Sequence, residues 1–110
     1  LHPGNLLLQD DELTVIDFDD AGFGWHQYDI AVALVHYETH PHYAAIEQAL
    51  LQGYRRQRPL SPAAEAMIPV FRLIRHMVSI GWLYQRPELG RPLSPRYKDA
   101  VCAACRAFKG

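Results

Sequence analysis

Asn5-Leu6-Leu7-Leu8-Gln9-Asp10-Asp11-Glu12-Leu13-Thr14-Val15-Ile16-Asp17 is the stretch that decides the fold. An apolar triplet, a polar turn at Gln9–Glu12 and a strand-forming run at Leu13–Ile16 read as a β-hairpin over residues 5–17. If the turn centres on Asp11, Leu8 faces Thr14 and Asn5 faces Asp17. Directly opposite residues on one face hold their Cβ atoms about 4.5–5.5 Å apart. An amide oxygen and a carboxylate would then stand side by side at the open end of the hairpin. Hard cations take such donors, and Mg²⁺ is usually held by one or two carboxylates together with substrate phosphates. Asp19 and Asp20 add negative charge just beyond. On spacing alone a second reading stays open, in which Asn5 ends a turn and Asp17–Asp20 is a solvated loop.

Working outward, residues 18–27 read as a loop broken by Gly22 and Gly24. Helical period then takes over. Asp29–Tyr37 carries Ile30, Ala31, Leu34 and Val35 on one face, and Tyr43–Arg56 repeats Ile46, Ala49, Leu50, Gly53 and Tyr54. Ser61-Pro62 is an N-cap followed by proline at the first helical position. It opens a pattern through Met67, Val70, Phe71, Ile74, Val78 and Trp82, in which Pro69 predicts a kink or a fresh helix start. Ser94-Pro95 opens a last helix with Tyr97, Ala100, Val101, Ala104 and Phe108 on its periodic face. The expected class is α+β and mostly α: one small hairpin packed on a lobe of four or five helices. A two-stranded hairpin is marginal alone, so it must rest on these helices or on further chain.

The chain has 110 residues, 49% hydrophobic and 21% charged, with formal net charge -1 and a pI near 6.6. That fits one soluble globular domain with a modest core. No Lys/Arg stripe suggests a nucleic-acid partner. No apolar run is expected to approach the roughly 20 residues of a membrane span, and no signal peptide opens the chain. Sparse cysteine then favours a reducing, cytoplasmic setting. The first residue is Leu1 rather than Met, which leads us to expect a piece of a longer protein. Cys102-Ala-Ala-Cys105 lies inside a helical pattern with no second cysteine pair, so it reads as two small, partly buried helix residues rather than a zinc or redox site.

Leu1-His2-Pro3-Gly4-Asn5 resembles the tail of the catalytic loop H-G-D-x-H-x-x-N of the aminoglycoside phosphotransferase and choline kinase family, whose fold is protein-kinase-like. In that family an apolar strand ending in I-D-F/W-D/E follows about ten residues later, as Val15-Ile16-Asp17-Phe18-Asp19 does here. A glycine-containing loop and a Y/W-D-L/I-A helix opening come next, matched by Gly22-Phe23-Gly24 and Tyr28-Asp29-Ile30-Ala31. The resemblance is close over residues 1–37 and only general, as a helical lobe, beyond. It implies that residues 1–110 are a partial C-terminal lobe, with a metal-binding hairpin and loop at 1–27 and a helical part at 28–110.

The resemblance also implies roles. Asn5 matches the loop asparagine that binds one Mg²⁺, and Asp17 the aspartate that binds the Mg²⁺ bridging the phosphates of ATP. Asp29 matches a helix-opening aspartate that braces the catalytic loop, and a plain N-cap role is compatible with that. His2 is expected to be structural. Asp19 stands where protein kinases carry Gly, which weakens a protein-kinase reading more than a small-molecule one. The family's general-base aspartate belongs to the H-G-D that would precede Leu1, so no catalytic residue is assigned within residues 1–110. The implied reaction moves the γ-phosphoryl group of ATP to a hydroxyl of an aminoglycoside, amino alcohol, sugar or hydroxy amino acid. This chain alone is expected to be inactive, and to self-associate through the surface that its missing N-terminal lobe would cover.

Other residues read more plainly. His36 and His40 form an i, i+4 pair near His42, read as exposed histidines at a polar helix end. Glu38 does not complete an H-E-x-x-H motif. Trp25, Tyr28, Tyr37 and Tyr43 are either acceptor-stacking aromatics or ordinary core. Arg72, Arg75 and His76 read as the solvent side of an amphipathic helix. Two further hypotheses stand beside the first: a bacterial Ser/Thr protein kinase of the same superfamily, and a non-catalytic helical interaction module.

Overall fold

The structure, a computed structural model, describes residues 1–19, 21–90 and 93–108. Asp20, one of the charges counted above, lies outside them. The order of elements is a 3₁₀ turn at Pro3–Asn5, β1 (Leu6–Gln9), β2 (Glu12–Val15), α1 (His26–Val35), α2 (Tyr43–Gln57), α3 (Pro62–Ala66), α4 (Ile68–Tyr84), a second 3₁₀ turn at Pro87–Leu89, and α5 (Pro95–Ala107). The α+β, mostly helical class is the one expected.

The hairpin forms, with its register one place from the expected one. Leu8 pairs with Leu13, Leu7 with Thr14 and Leu6 with Val15. The reason lies in the turn. Asp10 and Asp11 both adopt left-handed backbone, with φ of 49° and 63°, as a two-residue primed turn requires. A turn centred on Asp11 alone would have shifted every pair. The ladder continues one step beyond the strands, where the Ile16 amide donates to the Asn5 carbonyl at 2.9 Å. Asn5 therefore stands opposite Ile16 rather than Asp17.

Helix boundaries follow local chemistry. The Ser61 hydroxyl accepts from the Ala64 amide at 3.1 Å and caps α3, with Pro62 behind it. Pro69 sits in the first turn of α4, so the proline marks a fresh start rather than a kink. Ser94 precedes α5 without a side-chain cap bond. Together α3 and α4, Pro62–Tyr84, are long and apolar enough by length and composition to cross a membrane. That corrects the expectation that no stretch approaches this length. Arg72 and His76 nonetheless give the segment a polar stripe bonded to Glu38.

Ile30 and Leu34 of α1, Leu51 of α2 and Ile68 of α4 make the core, with Tyr43, Leu50, Tyr54 and Leu60 packed around it. α1 lies along α4, whose Phe71 ring stands 6.0 Å from Trp25 and 6.4 Å from Tyr28. The assembly is open. Its surface of 8783 Å² compares with roughly 6,200 Å² for a folded monomer of 12.6 kDa. The radius of gyration of 15.4 Å exceeds the about 13 Å usual at this length. Phe18, Phe23, Trp25, Trp82 and Tyr84 are among the exposed large hydrophobic side chains.

Candidate functional site

The segment before β1 is shaped by its own side chains. The His2 Nδ1 accepts from the Gly4 amide at 3.1 Å and caps the first 3₁₀ turn, with Pro3 fixing its opening. A Cβ on Gly4 would approach the His2 ring to 3.0 Å, so glycine permits that capped turn. The turn closes with the Asn5 amide donating to the His2 carbonyl at 2.9 Å. His2 thus caps the turn that leads Asn5 to the start of β1.

Asp17 follows β2 with φ of +63°, a left-handed conformation uncommon for a side-chain-bearing residue. Strain of about 1–3 kcal/mol at such a residue persists where the surroundings impose it, and it gathers at functional sites. Ile16, its neighbour, is bonded to the Asn5 carbonyl, so the hairpin ladder brings Asn5 and Asp17 to the same open end. Asp17 and Asp19 are exposed, and no ion pair among the described residues engages either. Among the described residues no three His, Cys, Asp or Glu side chains gather closely enough to hold a metal by themselves. An amide oxygen with one carboxylate does suit Mg²⁺, which completes its shell from phosphates and water.

Asp29 lies in the first turn of α1, where the helix dipole favours an acid, but it is not the N-cap; Trp25 holds that place without a side-chain bond. Its Oδ1 reaches 3.7 Å from the Leu1 nitrogen. The N-cap reading of Asp29 is corrected. One helical turn and more further on, the His36 ring meets the His2 ring with centroids 5.4 Å apart. Burial first, then the charges of His2 and Arg75, hold the His36 imidazole below its ordinary pKa of 6.5. Residues 1–6 thereby run along α1, and with Ala33, Tyr37, Ile46 and Leu50 they enclose an apolar cleft of about 370 Å³.

The histidine run does not form a helical metal face. α1 ends at Val35, and residues 36–42 are turns in which His40 Nδ1 accepts the His42 amide at 3.1 Å. His36 pairs with His2 rather than with His40.

A polar network was missed in the sequence. Glu38 Oε1 accepts from Arg72 Nε and Nη2 at 2.6 Å each, and Oε2 meets His76 Nε2 at 2.8 Å. His76 Nδ1 meets the Tyr97 hydroxyl at 2.7 Å, and the Arg72 guanidinium lies 5.2 Å over the Tyr43 ring. The solvent-side reading of Arg72 and His76 is therefore wrong: their side chains are 26% and 17% exposed, and Glu38 is 22%. Burial first, with the Glu47 carboxylate that accepts its hydroxyl at 3.1 Å, pushes the Tyr43 phenol up to about 12 against the opposing Arg72 charge. Burial and Glu38 also raise Tyr97. The signal in the sequence was the i, i+4 pair Arg72–His76, which needs one acid between them and gives no hint of Glu38, thirty-four residues before Arg72.

A β-hairpin followed by a mostly helical body, with Tyr28-Asp29-Ile30-Ala31 inside the first helix, fits a phosphotransferase of the kinase-like superfamily. The phosphotransferase enzyme family (APH) matches residues 1–65 of this chain, and the chain belongs to it. It is similar to the amicoumacin kinase of Bacillus subtilis (strain 168), 32% identical over 98 residues that cover 81% of this chain and 29% of that relative. The chain thus spans under a third of the relative's length. No solved structure matches it.

Proposed function

We propose that this chain carries the metal-binding hairpin and helical lobe of an ATP- and Mg²⁺-dependent phosphotransferase acting on a small-molecule hydroxyl. The observation that carries the reading is the left-handed, exposed Asp17, without an ion pair among the described residues, at the open end of a hairpin whose other strand follows directly on Asn5. Asn5 and Asp17 would hold the Mg²⁺, which offsets the charge that develops on the transferring phosphoryl group. The Asn5 amide oxygen and the Asp17 carboxylate would be the protein's donors to that metal, and His2 and Asp29 would keep the Asn5 segment in place. A general-base aspartate outside residues 1–110 would orient the acceptor hydroxyl. Candidate acceptors are aminoglycosides, amino alcohols, sugars and hydroxy amino acids, and the similarity to an amicoumacin kinase adds amicoumacin. The large exposed surface suits a further lobe, or in its absence a second copy.

The test is phosphoryl transfer from Mg-ATP by the full-length gene product across an acceptor panel that includes a protein substrate, repeated with Asp17→Asn. Metal-dependent turnover of a small acceptor, lost in the variant, supports the reading. Transfer to protein alone favours the protein-kinase alternative. No nucleotide or metal dependence leaves the interaction module standing.

A further inference from the structure

Two neighbouring parts of one turn face opposite ways. His36 and Tyr37 face the His2–Pro3 segment, His36 through its ring contact and Tyr37 across the apolar cleft. Glu38 faces the other way, onto α4 and α5, where both of its oxygens are engaged by Arg72 and His76 and the chain of bonds ends on Tyr97. The turn is otherwise held by short-range backbone bonds, the Tyr37 amide to the Leu34 carbonyl and the His40 amide to the Tyr37 carbonyl. Among the described residues, Glu38 is thus what ties the turn to α4 and α5. Among the described residues, Glu38 is the acid that this network shares between two helices.

We propose that Glu38 is a positioning residue: by pinning the turn after α1 to α4 and α5, it sets where His36 and Tyr37 stand, and through them where the His2–Asn5 segment presents Asn5. The physical argument is the cost of removing it. Arg72 and His76 are three-quarters or more buried, and a buried charge or donor left unpaired drives local rearrangement. The turn that moves carries the groups against which His2 rests. A carboxylate two steps removed from a metal ligand acts as outer support does in metal sites, where its loss commonly costs about 10- to 100-fold in metal affinity. The part concerning metal rests on the function proposed above; the part concerning position does not.

The experiment uses the full-length protein with Glu38→Gln, Glu38→Asp and, as a milder change that deletes only one hydroxyl, Tyr97→Phe. Arg55→Ala serves as control, because it breaks the exposed Arg55–Glu65 pair between α2 and α3, away from the turn. Amide hydrogen exchange is read at Ile16, whose N–H is bonded to the Asn5 carbonyl. The Mg²⁺ concentration for half-maximal phosphotransfer is read in parallel. Faster Ile16 exchange in Glu38→Gln, partly restored in Glu38→Asp and absent in the control, supports the positioning role. A rise of roughly 10-fold in the Mg²⁺ requirement completes it. Ile16 exchange unchanged in Glu38→Gln and Tyr97→Phe, or accelerated equally by Arg55→Ala, overturns the proposal. Faster Ile16 exchange in Glu38→Gln, in a protein whose wild type shows no Mg-ATP chemistry, keeps the positioning role and discards the functional reading instead.

Discussion

The segment before α1 and the lobe formed by α1, α2 and α4 are built on different terms. None of the described residues before Ile30 is buried, although that stretch contains the Asn5 and Asp17 motifs that point to phosphoryl transfer. The lobe holds the core and the Glu38 network, and beyond the Tyr28–Ala31 opening of α1 its sequence points to no chemistry. Residues whose identity is dictated by a ligand need a scaffold more than they supply one, and here α1 is the strut that serves both. The largest break between the two regions should therefore come from its centre. Leu34 is fully buried, and Leu34→Ala removes packing that nothing nearby refills, at a cost of about 3–5 kcal/mol. Denaturant unfolding of the variant checks this. A loss under about 1 kcal/mol would mean that α1 is not the common strut.

Asp17 sharpens the contrast from the other side. Asp17→Asn should reduce turnover of the full-length protein by roughly 100- to 1,000-fold, the scale of losing one preorganised electrostatic contact. Unfolding of the same variant should move by no more than about 0.5 kcal/mol, because the side chain is exposed and has no ion-pair partner among the described residues. Asp17→Gly should even stabilise slightly while abolishing activity, since glycine accepts the +63° φ without penalty. If activity and stability fall together, the hairpin is structural and its acid is not a metal ligand.

These two residues also show what could be read from the chain alone. The hairpin, the class and the family were legible because turn residues, period-two and helical patterns and the motif order all agree over residues 1–37. The register was not. Asp10-Asp11 can serve as a two-residue turn or flank a longer one, and only the left-handed backbone of both settles it. The Glu38 network was illegible for another reason: its partners lie in α4 and α5, and an arginine and a histidine on a helix look solvent-facing until an acid arrives from far away in sequence. The apolar length of Pro62–Tyr84 was underestimated because its polar residues are spaced one turn apart on a single face.

A smaller test concerns the turn itself. Asp11→Gly places glycine at φ of 63° in the hairpin loop, where an Asp-Gly pair suits the primed turn. It should stabilise the hairpin by about 0.5 kcal/mol and slow Ile16 exchange without moving the global midpoint. A shift of the global midpoint by the same amount would show that hairpin and lobe unfold as one unit.

The smallest expected effect lies at the seam. His36 meets His2 across it, and its folded pKa is depressed below 6.5, chiefly by burial and then by the charges of His2 and Arg75. Between those two values the unfolded chain binds more protons than the folded one, so stability rises with pH there. The contribution is fully present above about 6.5 and is lost as pH falls through the folded value. The shift is modest and the ring is partly exposed, so the change should be a fraction of 1 kcal/mol. His36→Gln should flatten the slope of unfolding free energy between pH 5 and pH 7, whereas His40→Gln, whose ring caps its own turn, should leave it unchanged. Because the His36 ring that gains the charge lies 5.4 Å from the His2 ring, the first bond to loosen on acidification should be Ile16 to Asn5. If the α1 core amides loosen first instead, the seam is not where the two regions part, and α1 couples them more tightly than its contact with His2 alone allows.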